Sequence, residues 1–298
     1  LSPVALTLIA ISVGLHAGWN VLGKRRAPSL AFFSLSIAAG GLTFLPLLFI
    51  GPSVTQLPGT FWGWLAASGL CQMLYMGGLA WAYARGEVSV LYPIARALPV
   101  VMVPVVSILL LGRDGIAFGD LVGMLLIVVG ALCLPLSDPA AQRLSTYFSP
   151  ALGFALLAAV ATMGYSLIDH QALMLMQEEA GYSALIAGAQ FMVLQALATP
   201  LWALPLVLVM PVERNRLPML WRNERQTMLL TGLMITVTYG FVLIALALSD
   251  DVSHVVALRQ LSIPLGALIG IMWLRERVSM LKALSLAVML TGLWVVAI

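Results

Sequence analysis

The sequence predicts an all-α polytopic membrane protein, with ten transmembrane helices folded as two inverted five-helix repeats around a central cavity. Composition, the punctuation of the apolar runs and an internal repetition predict it. Of the 298 residues, 61% are hydrophobic and only 9% charged, and the mean hydropathy is +1.03, whereas a soluble domain carries about 25% charged residues. A soluble enzyme would need polar surface that this chain lacks. Fifteen Lys and Arg stand against 12 Asp and Glu, and so small a basic excess argues against a nucleic-acid partner. The bilayer itself is the expected partner. Cys71 and Cys133 lie inside apolar runs without metal-ligand spacing, so they read as small buried hydrophobes and imply no disulfide, metal or cofactor.

Apolar runs counted against their breakers give helices near 3–23, 29–50, 60–84, 88–111, 117–136, 151–174, 182–210, 227–249, 252–274 and 279–298. The first run has no basic leader and no cleavage site, and it carries His16, Trp19 and Asn20, so it reads as a retained helix. The longest polar connections are 137–149 and 211–226. The first of these is the seam. It divides the chain into a first repeat, 1–137, a linker, 138–150, and a second repeat, 151–298.

The repetition is clearest in one hairpin. Val88–Asp114 starts with Val-Ser, carries a lone Arg96, contains prolines and closes on an Arg-acid pair; Val252–Glu276 does the same around Arg259. Elsewhere His16-Ala-Gly-Trp-Asn20 aligns with Thr162-Met-Gly-Tyr-Ser166, Tyr75 with Tyr239, Glu87 with Asp251 and Gly130 with Gly292. Five spans is an odd number, so a second copy enters the membrane from the opposite side. Inverted repeats of this kind are a recurrent construction of secondary transporters, with the substrate bound near the midplane.

Loop charges orient the bundle. With both termini outside, the inner loops hold Lys24, Arg25, Arg26, Arg85, Arg143, Arg214, Arg216, Arg222, Arg225, Arg275, Arg277 and Lys282, and only Arg113 is left outside. Twelve against one is the positive-inside pattern.

With these residues in hand, the chain resembles the EamA family of the drug/metabolite transporter superfamily. His16-Ala-Gly-Trp-Asn20-Val-Leu-Gly-Lys24-Arg25, Leu91-Tyr-Pro-Ile-Ala-Arg96, Leu110-Leu-Gly-Arg-Asp114 and Leu274-Arg-Glu276 carry the likeness, which runs over the whole chain. The resemblance implies a ten-helix carrier, not an enzyme, in the bacterial inner membrane. It also implies a cavity lined by helices 1, 3, 4, 6, 8 and 9. It is similar to YddG-type exporters, which move amino acids out of bacterial cells. Two departures stand out: the family's usual Leu-Gly-Glu signature is altered in both halves, and many relatives have both termini inside.

The candidate site follows from charge and aromaticity inside apolar helices. An arginine several turns into a membrane helix costs on the order of 2.5–3.5 kcal/mol on insertion scales and is by default a functional candidate; the bland alternative is snorkelling to the headgroups. Arg96 and Arg259 suit a substrate carboxylate, or equally a phosphate. The inverted repeat puts Arg96 toward the cytoplasm and Arg259 toward the outside, each serving one access state. Gln260 offers an amide, to substrate or to helix packing. Trp19, Asn20, Tyr75, Tyr92, Tyr165 and Tyr239 fall on the helices expected to line the cavity, with an apolar ring or a polar tip for an amphiphilic metabolite.

His16, Asp169 and His170 are titratable groups inside helices 1 and 6, candidates for proton coupling, against a reading in which the histidines are satisfied locally and Asp169 is wet at its helix end. Pro93, Pro99 and Pro264, with Pro104, bend their helices, as gates or merely as shape. Trp62, Trp64, Trp202 and Trp221 read as interfacial anchors, and Glu87 and Asp251 as helix caps. The pairs Gly119-x-x-x-Gly123 and Gly266-x-x-x-Gly270 permit close approach, within a monomer or at a dimer seam. No His-Glu-x-x-His, Gly-x-Ser-x-Gly or phosphate-binding glycine loop is present to indicate an enzyme.

Overall fold

A computed structural model describes residues 1–23, 29–86, 88–111, 116–137, 150–273 and 278–298, with backbone alone at 17–23, 88–89, 110–111, 137, 270 and 273. Residues 138–149 of the expected linker, Arg113 and Asp114, Glu87, Lys24 to Arg26, and Arg275 to Arg277 lie outside the described residues.

The described chain is helical, with no strand among the described residues. In order, the helices are α1 (Pro3–Gly23), α2 (Leu30–Thr43), α3 (Gly59–Tyr83), α4 (Val88–Leu111), α5 (Phe118–Cys133), α6 (Pro150–Glu178), α7 (Ala184–Val209), α8 (Pro211–Arg214), α9 (Leu217–Asn223), α10 (Arg225–Ala247), α11 (Val252–Leu258), α12 (Ser262–Trp273) and α13 (Met280–Ala297). Small polar residues start several of them. The Ser29, Ser183 and Ser279 hydroxyls accept from the N–H groups of Phe32, Ile186 and Lys282, satisfying donors that have no partner inside the helix. Asp251 does the same for α11, accepting from the Ser253 N–H at 2.7 Å, as the sequence predicts.

Six described helices are long and apolar enough to cross a membrane: Val90–Leu109, Pro150–Glu178, Ala184–Val209, Arg225–Ala247, Val252–Ile269 and Met280–Ala297. Pro3–His16, Leu30–Thr43 and Phe118–Cys133 are shorter apolar helices. The outer surface carries exposed Leu125, Val129, Leu156, Val160, Leu204, Leu208, Leu290 and Trp294. Water would disfavour such a face, and a bilayer accepts it because every helix satisfies its own backbone. Trp62, Trp64, Trp202 and Trp221 are all exposed on this surface, in keeping with anchoring.

Several element boundaries differ from expectation, among them the helix expected over 29–50, which ends at Thr43 and gives way to a 3₁₀ turn at Leu45–Phe49. The connection 211–226, expected as a polar loop, forms α8 and α9. Leu217 and Leu220 tuck them against Leu30, Ala31 and Met228, and the buried Glu213 carboxylate accepts from the Ala31 N–H at the start of α2, at 3.0 Å. Helix 6 runs on to Glu178, four residues beyond the expected end. The expected helix 252–274 is split by a 3₁₀ turn at Arg259–Leu261. Pro264 has no N–H for the carbonyl of Gln260, and its ring crowds that carbonyl, so the turn just upstream tightens.

Helix packing has a regular pattern. α3 packs along α6 and α1 along α10; α2 packs on α10 and α3 on α7; α4 lies against α6, while α1 lies against α12; α2 meets α7, and α5 meets α13. Small residues permit the closest approaches. A Cβ on Gly123 would stand 2.9 Å from the Gly292 carbonyl, and one on Gly232 would overlap the Ser36 carbonyl. Gly123 of the first spaced glycine pair therefore packs internally, whereas Gly119 and Gly266 face open space. At one end of the bundle His254 bridges two helices, with Nδ1 2.9 Å from Asp251 and Nε2 3.4 Å from Asp120 on α5.

Candidate functional site

The bundle centre holds both arginines. Arg96, about a third of the way along α4, and Arg259, in the 3₁₀ turn, are each less than a tenth exposed. Arg96 Nη2 donates to the Arg259 backbone carbonyl at 3.4 Å and to the Ser262 hydroxyl at 3.2 Å. The two arginines, each expected to serve one access state, are in direct contact here. About eight residues at ~1.5 Å each put either arginine some 12 Å along from the start of its helical stretch. The snorkelling alternative does not describe these two side chains.

Arg259 lies over an aromatic ladder. Its guanidinium carbon is 5.3 Å from the Tyr239 ring centroid, a cation–π distance. Tyr239 meets Tyr165 edge-on at 5.5 Å, and Tyr165 meets Tyr75 at 5.7 Å, the geometry that aromatic quadrupoles favour. Tyr75, Tyr92 and Tyr165 lie close enough to Arg96 to interact electrostatically. His16 Nε2 is 3.2 Å from the Tyr92 hydroxyl.

Behind the ladder sits a buried carboxylate. Asp169 on α6 has no exposed surface, because the longer helix carries it well away from the end where it could have been wet. The Ser68 and Tyr239 hydroxyls donate to it, and Gln195 Nε2 donates at 2.9 Å, while the same nitrogen is 2.7 Å from Ser68 Oγ. Tyr239 thus joins the two charges: its hydroxyl serves Asp169 and its face serves Arg259. A buried carboxyl group held by several good donors is a rigid element, and removing one donor strands another polar atom.

Arg96, Arg259, Tyr75, Tyr92, Tyr165, Tyr239, His16 and Asp169 therefore fall in one connected region. Gln260 is buried there too, but its Nε2 donates to the Val256 carbonyl of its own helix turn at 2.9 Å. His170, one residue past Asp169, is buried about 100° further round α6. The side chains of Trp19 and Asn20 lie outside the described residues. Of the prolines, Pro93 and Pro99 sit within an unbroken α4, and only Pro264 adjoins a break in its helix. Both cysteines are free.

Beside Asp169 a crevice opens between α2, α3, α7 and α10, lined by Gln72, Gln195, Thr199, Thr236 and Tyr239 together with the apolar Ile37, Met192, Ala196 and Ile235. It has room for little more than one water molecule. Ser68, Gln72, Gln195 and Thr199 were missed in the sequence. Their signal was polar residues four apart inside apolar runs, Ser68 with Gln72 and Gln195 with Thr199, which places each pair on one helix face.

No family model and no curated protein matches the sequence. The fold is nevertheless found among solved structures. One of them, described only as the crystal structure of a protein, superposes with a TM-score of 0.67 over 99% of this chain and 98% of its own, at 17% sequence identity. A likeness at that identity concerns the fold alone.

Proposed function

We propose that this chain is a secondary carrier of the EamA type that exports amino acids or similar small zwitterions across the bacterial inner membrane by alternating access. In this reading it has ten membrane spans in two inverted repeats, 1–137 and 151–298, with both termini outside. The helix pairing supports the repeat. Exchanging each of the ten long spans for the one five places along, with α11 and α12 counted as one span, turns α3 on α6 into α10 on α1, and α2 on α10 into α7 on α3. α2 on α7 and α5 on α13 map onto themselves. The whole-length likeness to a solved structure is compatible with this but names no activity.

The observation that carries the reading is the convergence of Arg96 and Arg259 beside a buried carboxylate and three tyrosines. Guanidinium groups bind a carboxylate in a fork, more strongly where water is excluded. Asp169 and the tyrosine faces provide negative potential for the ammonium end of the same molecule. Alternating access then requires the α4 and α11–α12 hairpins to part. A second reading, exchange or flipping of a phosphorylated metabolite, is favoured by the two adjacent guanidiniums, whereas Asp169 would repel the added charge.

Uptake of labelled amino acids into reconstituted vesicles tests the proposal. Saturable flux in the wild type and its loss in Arg96→Ala and Arg259→Ala are expected. Equal flux in wild type and double variant would remove the site, and competition by phosphate esters rather than amino acids would favour the second reading.

A further inference from the structure

We propose that the crevice between α2, α3, α7 and α10 is a binding site for a small monovalent cation of the sodium class. Two of its lining residues hold buried oxygen atoms without a hydrogen-bond partner, Gln72 Oε1 on α3 and Thr236 Oγ1 on α10. Both residues are more than nine-tenths buried. An orphaned carbonyl oxygen in such a place costs about 1–3 kcal/mol unless something satisfies it.

The other polar groups spend their hydrogens elsewhere. Thr199 donates its hydroxyl to the Gln195 carbonyl at 2.8 Å. Tyr239 donates to Asp169, and Gln195 gives its amide hydrogens to Asp169 and Ser68. What these groups have left to offer is oxygen lone pairs. A space about the size of one water molecule, lined by five oxygen-bearing side chains from three helices, suits a hard cation, which takes oxygen ligands.

Charge selects the valence. The lining has no carboxyl group of its own, and the carboxyl group of Asp169 stands one hydrogen bond behind Gln195 and Tyr239. Calcium draws on carboxylates in its first shell and magnesium keeps several waters, which leaves a monovalent ion. Among the described residues no cation forms an ion pair with Asp169 within 4 Å; Arg259 is held off by the Tyr239 ring. A cation in the crevice would stabilise the ionised form of Asp169, whose burial is otherwise costly. A water molecule could satisfy the same two oxygens but supplies no charge, and that difference is what the test reads.

The experiment is the thermal unfolding of purified, detergent-solubilised full chain in sodium chloride against choline chloride at equal ionic strength. Binding to the folded state stabilises by mass action, so sodium at ten times its Kd should raise Tm by roughly 2–4 °C, saturably. Gln72→Leu and Thr236→Val should abolish the rise. Equilibrium binding of radioactive sodium to the wild type is a second readout that does not depend on the variants folding, and about one ion per chain is expected. Identical Tm values in the two salts together with no saturable sodium binding would overturn the proposal and leave a site for water only. Neither readout involves flux, so the result stands apart from the carrier reading.

Discussion

The two matching hairpins end up with opposite characters. The first keeps α4 unbroken from Val88 to Leu111 through Pro93, Pro99 and Pro104. The second contains Pro264 and breaks into α11, a 3₁₀ turn and α12. The number of prolines therefore does not decide where a membrane helix gives way. What distinguishes the second stretch is that the carbonyls of its tightened turn find partners: the Ser262 N–H serves the Arg259 and Gln260 carbonyls, and the Arg259 carbonyl also accepts from Ser262 Oγ at 3.0 Å and from Arg96 Nη2 at 3.4 Å. The unbroken helix supplies a side chain, and the broken one supplies backbone. Two stretches alike in sequence make unlike contributions to one contact.

That asymmetry can be attacked in order of expected effect. Arg96→Lys should be nearly as damaging to flux as Arg96→Ala, because the lysine nitrogen sits one bond nearer the backbone than Nη2, which reaches the Arg259 carbonyl and the Ser262 hydroxyl, and lacks the guanidinium fork for a substrate carboxylate. Losing charge-assisted bonds of about 1.5–3 kcal/mol corresponds to a fall of roughly 10- to 100-fold in vesicle uptake. Tyr239→Phe should follow. It keeps the ring under Arg259 and removes one donor from Asp169, and a denaturation series should show a loss of about 1–3 kcal/mol.

Pro264→Ala should permit α11 and α12 to join, withdrawing the Arg259 carbonyl from Arg96. A several-fold loss of flux at unchanged or raised Tm is expected, while Pro99→Ala in the unbroken helix should leave flux within about twofold, since little depends on its freed carbonyl.

The smallest effect belongs to the α11 cap. Burial pushes the Asp251 carboxyl up, but hydrogen bonds from the His254 ring and the Ser253 N–H outweigh it and hold the carboxyl at about 2, below its usual 3.8. A carboxyl lowered in the folded state contributes stability that is present above its unfolded value and lost as pH falls through its folded one. Stability should thus decline between pH 4 and 2, and Asp251→Ala should flatten that decline and cost about 1 kcal/mol at neutral pH. Acid titration of Tm checks both.

The sequence was a good guide wherever the signal was local. Apolar length bounded by Gly, Pro and charge located the long helices, and a carboxylate before an apolar run marked the Asp251 cap. It also singled out Arg96, Arg259, Asp169 and the tyrosines, because charged and phenolic groups stand out inside membrane helices. It failed where an outcome depended on a partner distant in the chain. Nothing near Glu213 indicates that it caps α2, since Ala31 is 182 residues away. Nothing near Arg259 shows that its carbonyl is taken by Arg96. The donors around Asp169, Ser68 and Gln195, come from two other helices, and a neutral Ser or Gln alone in an apolar run reads as packing.

The central claim is that Arg96 and Arg259 make one site. Initial uptake rates in vesicles for wild type, Arg96→Ala, Arg259→Ala and the double variant test it directly. A shared site predicts that either single change abolishes most of the flux and that the second adds little to the first. Single variants that keep wild-type flux, or losses that multiply as independent sites would, contradict it.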